Sequence, residues 1–408
     1  MNSHNVLGTE PIWKLLLKYS IPAIVGMLVN AMYTVVDRIF IGNIPEVGQY
    51  AITGVGITLP ISTIILACGM LVGTGASANI SIKLGQQQKD KAERIIGNAF
   101  TLSFVIGILL MLVCFAFKKP ILMLFGASDQ TLVYADQFIS VILLGTIFNI
   151  MGFALNGTIR ADGAPLISAL IMIASCVLNV ILDPLFIFVF GFGIQGAAFA
   201  TVLAQMLTAV CAIVYYTAGK SNLKFKVQNL ALDFDLVKLM LAIGVAPFAM
   251  QLAQSFVQVI CNNTLKAYGG DLAIGAMATI SAVSMIFLMP IFGMNQGSQP
   301  IIGYNYGAKN YHRANQTLLF STSAALVVLL IGWTVVQVFP TQIISLFNND
   351  EELLGITVNG IRIYLMMLPL VSIVITGSSY FQSIGKAKIA MFLSLLRQLI
   401  LLLPLFLI

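Results

Sequence analysis

The chain has 408 residues, 59% of them hydrophobic and only 9% charged, with a mean hydropathy of +0.97. A soluble protein carries about a quarter charged residues, so this composition excludes a water-soluble chain and points to a polytopic α-helical membrane protein. The formal net charge of +6 lies in the loops between apolar runs, which makes it a topology signal and excludes a nucleic-acid surface.

The start, "MNSHNVLGTEPIWKLLLKYSIP", lacks the basic segment and small-residue cleavage site of a signal peptide, so the first span is read as retained structure. Apolar segments follow at 12–42, 51–84, 93–117, 131–159, 165–190 and 194–217. Each is long enough to cross a hydrocarbon core of about 30 Å as a helix. The polar segment "AGKSNLKFKVQNLALDFD" comes next, then spans at 236–267, 272–306, 314–339, 353–383 and 387–408. The weak alternation of side chains excludes an outer-membrane barrel. The organisation is therefore an amino-terminal lobe at 1–219, a linker at 220–235 and a carboxy-terminal lobe at 236–408.

Lys83, Lys89, Lys91, Arg94, Arg160, Lys220, Lys224, Lys226, Lys309, Arg313, Lys386 and Lys388 all fall in alternate loops. The intervening loops "NIPEVGQY", "GFGIQ" and "NNDEE" hold no Lys or Arg, and Lys118, Lys119 and Lys266 run against the trend. The positive-inside rule then places the amino terminus and linker in the cytoplasm.

The halves read as one repeat. Pro22 aligns with Pro247, Asp37 with Asn262, "GMLVGTG" with "GMNQGSQ", and Gly163 with Gly385. Equivalent spans start on the same side, so the repeats are parallel and related by an axis along the membrane normal. The second half has no counterpart of span six and stops inside "LILLLPLFLI". This reads as a twelve-helix architecture of two pseudo-symmetric six-helix lobes, without its last helix.

Of the fifteen acids, only Asp37 and Asp183 lie well inside apolar runs. A carboxylate at bilayer depth costs about 2.5–3.5 kcal/mol and needs a partner or a protonation role. Asn179 precedes Asp183 by one turn, and Pro184 removes a backbone donor, leaving a carbonyl available to an ion. Thr201 in span six adds a hydroxyl. The plainer alternative pairs Asp37 with Arg38 and Asp183 with Asn179, but adjacent residues on a helix do not face each other. Asn30, Tyr33, Gln251, Gln254, Ser255, Gln258 and Asn262 form polar stripes on repeat-related spans one and seven, which suggests a shared cavity. Met285 and Met289 would form an adaptable apolar wall there, or ordinary packing. Pro22 marks a hinge in span one. The five cysteines lie in apolar runs without metal spacing, and "AGKS" lacks the first glycine of a phosphate loop. No cofactor and no enzymatic constellation is expected.

The order of "SIPAIVG", "VDRIFIGN", "RADGAP", "LNVILDPLFIF" and "GIQGAAFATV" resembles the bacterial branch of the multidrug and toxic compound extrusion family across nearly the whole chain. The resemblance implies two lobes around a central cavity, exporting amphipathic, often cationic compounds in exchange for H⁺ or Na⁺. Its amino-terminal cation site would fall on Asp37, Asn179, Asp183 and Thr201. It further implies a monomer in the bacterial plasma membrane, with small organic substrates and lipid as partners. One departure is the absence of acids inside spans seven and ten, where some members hold a second cation. A flippase for a lipid-linked headgroup is the alternative, because related folds perform that task.

Overall fold

The structure, a computed structural model, describes residues 3–45, 47–219, 221–345 and 351–396. Among these it is helical throughout, without strands. After a short helix α1 (Ser3–Thr9), the first lobe contains α2 (Ile12–Gly42), α3 (Gly48–Gly85), α4 (Lys89–Leu124), α5 (Asp129–Ala161), α6 (Pro165–Pro184) and α7 (Gly193–Thr217). The second contains α8 (Phe234–Gly307), α9 (Tyr311–Val338), α10 (Pro340–Ser345), α11 (Glu351–Tyr364), α12 (Leu368–Ser383) and α13 (Ala387–Leu395). Helices dominate because hydrocarbon offers no partner to a free peptide group. Among the described residues, nine stretches are long and apolar enough to span a membrane, and α11 with α12 makes a tenth.

Two boundaries differ from the sequence reading. Expected spans seven and eight form one unbroken helical run, α8. Gly75 of α3 abuts Met240, and Gly85 abuts Tyr304. A straight helix would separate Met240 from Tyr304 by about 100 Å, whereas Gly75 and Gly85 are about 15 Å apart. The run therefore doubles back on itself, giving the two expected spans without a break in helical pairing. Expected span ten instead breaks between Tyr364 and Leu368, with a bend of 50°. Pro369, which lacks an N–H, starts α12 there. The end of the eleventh span, 397–408, lies outside the described residues.

The repeat appears as matched local geometry. Gly163 and Gly385 both adopt positive φ, at 98° and 79°. In each case the next N–H reaches back five residues, Ala164 to Ile159 at 3.2 Å and Lys386 to Phe381 at 2.9 Å. This is the glycine-terminated helix end that left-handed backbone permits. Gln87 and Lys309 are the two non-glycine residues with positive φ among those described, at 61° and 59°, and both end a helix that enters the tight turn to the next.

The lobes join through a seam at the end where the basic loops gather. A Cβ on Gly85 would collide with the Tyr304 carbonyl, and one on Gly307 with the Ile82 carbonyl. These reciprocal contacts sit at repeat-equivalent positions, as expected near a pseudo-twofold axis. Around them Asn79 donates to the Leu239 carbonyl at 3.2 Å and Ser77 meets Gln299 at 3.5 Å. Arg313 and Asn305 also hold the carbonyls before α2. Arg313 reaches Glu10 at 2.6 Å, and Asn305 reaches Leu7 at 3.0 Å.

The linker is pinned to the first lobe at the same end. The buried Asp162 carboxylate accepts from the Tyr215 hydroxyl and from the backbone N–H groups of Asn222 and Leu223. Glu93 accepts from the Lys224 N–H at 3.1 Å and pairs with Lys226 at 2.6 Å, which holds the Lys226 ammonium above its usual range. At the other end Lys118, out of step with the charge trend, is bound to Asp136 and Ser140, each at 2.8 Å.

Gly85→Ala and Gly307→Ala are each expected to lower stability by about 1–3 kcal/mol, the usual result of overpacking. Gly56→Ala, with nothing within 4 Å of an added Cβ, serves as the control in thermal unfolding in detergent. Equal midpoints for all three would mean that the backbones do not meet at the seam.

Candidate cation site

Helices α2 and α6 bring together the two acids singled out by the sequence. Gly26 of α2 packs on Met172 of α6, and further along the pair the Asp37 and Asp183 carboxyl groups come within hydrogen-bonding reach of each other. Asp183 is fully buried, as is Asn179 one turn earlier. Asp37 is half-buried. Two ionised carboxylates offer no donor to each other, and Asp37 Oδ1 is enclosed without a hydrogen-bond partner. No Asp37–Arg38 ion pair forms, and Arg38 is exposed, as the one-residue spacing requires.

Asn179 links the acid to α7. With its amide turned to satisfy both ends, its nitrogen donates to Asp183 Oδ2 at 3.1 Å. Its oxygen then accepts from the Thr201 backbone N–H at 3.3 Å. The Thr201 hydroxyl lies 3.4 Å from the same end of the amide. All four residues expected at the cation site therefore meet. Beyond Pro184 the chain widens into a π-helical turn, Leu185–Val189, in which the Phe190 N–H reaches the Leu185 carbonyl at 2.9 Å. Such a turn inside a helix frequently accompanies a functional site.

Two residues expected to line the cavity also lie near the acids. Tyr33 is within electrostatic range of Cys176, Asp37 and Asp183, and the Asn30 side chain meets the Cys176 thiol. Cys176, read from sequence as simple core, thus borders the site. Its position inside an apolar run carried no signal of this. Among the described residues, no hydrogen bond joins Gln251, Gln254 or Ser255 of the α8 stripe to Asp37 or Asp183. Gln254 and Gln258 are exposed, while Gln251 and Ser255 are half-buried. Met285 is exposed and Met289 half-buried; the Asn262 side chain lies outside the described residues. Pro22 is inside α2, and the backbones of its neighbours Ser20 and Ile24 abut Gly297 and Gly293 across the seam.

Arg160, read from sequence only as a loop cation, is also buried. Its Nη1 donates to Asn156 Oδ1 at 2.8 Å and to Ser168 Oγ at 2.9 Å. Among the described residues, no cluster of three or more His, Cys, Asp or Glu side chains could form a conventional metal centre. The site instead offers two carboxyls, one amide and one hydroxyl, a set of hard oxygens suited to a proton or a small monovalent cation.

The MatE family profile matches residues 22–185 and 247–408, one block in each lobe. The chain belongs to the MatE family. It is 26% identical over 388 residues to the multidrug export protein MepA of Staphylococcus aureus strain MSSA476, covering 95% of this chain and 85% of that one. Against MepA of Staphylococcus haemolyticus strain JCSC1435 it is 26% identical over 377 residues, 92% of this chain and 82% of the relative. Among solved structures it superposes on an outward-facing multidrug resistance MATE transporter with a TM-score of 0.91. That alignment has 23% identity and covers 98% and 88% of the two chains. MATE structures described as bent and as straight score 0.90 and 0.91, at 23% and 24% identity; each alignment covers 98% of this chain and 88% of the other. The fold is thus common to both forms, and the chain is a multi-pass membrane transporter of this family.

Asn179→Leu keeps the side-chain bulk but removes the donor to Asp183. It is expected to lower stability by about 1–3 kcal/mol, because a buried acceptor loses its partner. In an Asp183→Asn background the same change is expected to do measurably less, with a coupling of about 0.5–3 kcal/mol for residues in contact. Thermal unfolding of the four proteins in detergent measures this, and additive losses would mean that the two side chains do not interact.

Proposed function

We propose that this chain is a secondary active antiporter that exports amphipathic, often cationic organic compounds in exchange for H⁺ or Na⁺ by alternating access. The observation that carries the reading is the meeting of Asp37 and Asp183, with an enclosed Asp37 oxygen left unpaired. Two carboxylates held this close in a low-dielectric site are costly to keep ionised together. One proton, or one sodium ion held by their oxygens with Asn179 and Thr201, relieves the repulsion. The multidrug export named for the staphylococcal relatives supplies the substrate class.

The basic end and amino terminus are assigned to the cytoplasm. With the seam closed there, the lobes correspond to an outward-facing arrangement, in which Tyr33, Asn30 and the α8 amides line the path to the outside. Pro22 provides the coupling element. Its ring removes one α2 hydrogen bond, and it sits between the two residues that abut the seam glycines. A change of charge at Asp37 that alters the bend at Pro22 would therefore shift the seam and the balance between access states. An ion can bias that balance only through unequal affinity for the two states. The headgroup flippase has less to stand on, since Arg160 is locked to Asn156 and Ser168 and Arg38 and Arg362 are exposed.

Everted vesicles loaded with a fluorescent cation, under an imposed proton or sodium gradient, test the reading. Gradient-driven transport by the wild type is expected to disappear in Asp183→Asn at normal expression. Undiminished transport would remove Asp183 from the mechanism. Proton release on drug binding in detergent separates one site from two. Asp37→Asn and Asp183→Asn are each expected to remove most of the release, and the double variant little more.

Pro22→Ala restores the missing hydrogen-bond donor and is expected to slow transport several-fold while leaving ion binding intact. Wild-type turnover in that variant would confine the proline to a structural role.

A further inference from the structure

We propose that the cavity between the start of α4 and the central linker binds the phosphate headgroup of an anionic phospholipid from the leaflet at the basic end. The cavity has a volume of about 280 Å³ and is lined by Arg94, Asn98, Gln228, Asn229, Ala231, Leu232 and Asp233. It shares no lining residue with the acid pair or with the seam.

Its floor is rigid. Asn98 donates to the carbonyls of Asn229 and Ala231, both at 3.3 Å, and accepts from the Asp233 N–H at 2.7 Å. Thr101 holds the Leu230 carbonyl at 2.8 Å. These bonds consume the Asn98 side chain and leave three others over. The exposed Arg94 guanidinium and the Gln228 and Asn229 amides form no hydrogen bond or ion pair among the described residues.

The nearby acids are already engaged or turned elsewhere. Glu93 is paired with Lys226. Asp233 caps α8, accepting from the N–H groups of Asp235 and Leu236 at 3.1 and 3.4 Å. Asp90, one turn before Arg94, is exposed and forms no ion pair with it. Lys89 and Lys91 on α4 and Lys224 on the linker are exposed on the two segments that form the cavity. The site is thus a planar cation with neutral donors beside it, the chemistry that holds a phosphodiester.

The apolar surroundings choose the lipid over a free phosphate. The linker segment next to the cavity exposes Val227 by 77% and Phe234 by 82%, although this is the polar end of the molecule. On the same helix as Arg94, about 15 Å further along, Phe104 and Val105 are exposed at the start of the lipid-facing surface. Apolar side chains on both sides of an unpaired arginine place it at headgroup level, where basic pockets near helix ends recognise anionic lipids.

Native mass spectrometry of the full chain in detergent, with phosphatidylglycerol, phosphatidylcholine or glycerol 3-phosphate added, tests this. Phosphatidylglycerol adducts are expected on the wild type. They should fall by about fivefold in Arg94→Gln, and further in Arg94→Glu, from the loss of one basic contact at the membrane surface. Arg94→Lys is expected to retain part of the binding, while phosphatidylcholine adducts stay unchanged throughout. The exposed Gln228→Glu provides an independent variant and is expected to weaken phosphatidylglycerol alone. Equal phosphatidylglycerol binding by wild type, Arg94→Glu and Gln228→Glu would overturn the site. Glycerol 3-phosphate binding as tightly as the lipid would overturn the lipid as its ligand. An unchanged thermal midpoint keeps loss of binding distinct from loss of fold.

Discussion

A peptide group without a partner in hydrocarbon costs several kilocalories per mole, and the architecture of this chain follows from that constraint. It forces the apolar runs into helices and makes each departure from helical pairing informative. Prolines cause most of the departures, and beside those within α3, α4 and α8, three stand out. Pro22 removes a donor inside α2, Pro369 starts α12 beyond a bend, and Pro184 leads into a π-helical turn. The π-helical turn follows closely on the buried Asp183, so irregular backbone and a buried carboxyl occur together in the first lobe.

The seam between the lobes follows a different rule. Lipid chains are as apolar as leucine, so burying apolar surface gives little reason for two membrane lobes to join; close backbone approach and hydrogen bonds must supply it. At the basic end this is met by glycines against carbonyls and by amides and a guanidinium against carbonyls. Such contacts are local. The linker behaves otherwise. Asp162, Glu93 and Asn98 bind it along the first lobe as far as Asp233, which caps α8.

Much of this was legible in the sequence because the responsible physics is local. Span positions follow from apolar length, and the common end of the basic loops follows from alternation of charge. The repeat was visible in Gly163 and Gly385, since left-handed backbone at a helix end selects glycine in both copies. Asp37 and Asp183 stood out because a carboxylate inside an apolar run is expensive, and Asn179 because one helical turn places it on the same face. The unbroken pairing through α8 was not legible. Gly269, Gly270 and Asp271 look like a loop in the sequence, and only the packing of both ends of α8 on α3 establishes that the helical run reverses. Lys118 looked like an exception to the charge trend until Asp136 proved to be its partner.

The sequence by itself determined the solvent this protein lives in, the position of most spans, the internal repeat, and which two acids are anomalous. Each of these depends on neighbours within one helix or on composition summed over a segment. Only the tertiary structure decided that Asp37 and Asp183 meet, that Tyr33 and Cys176 border them, and that Arg160 is a buried cation held by Asn156 and Ser168. These facts depend on the rotation of each helix about its axis and on which helices share a face. Those quantities are set by side-chain packing between different helices, in the case of Asp37 and Asp183 more than a hundred residues apart in the chain, and no local pattern of apolar and polar residues encodes them.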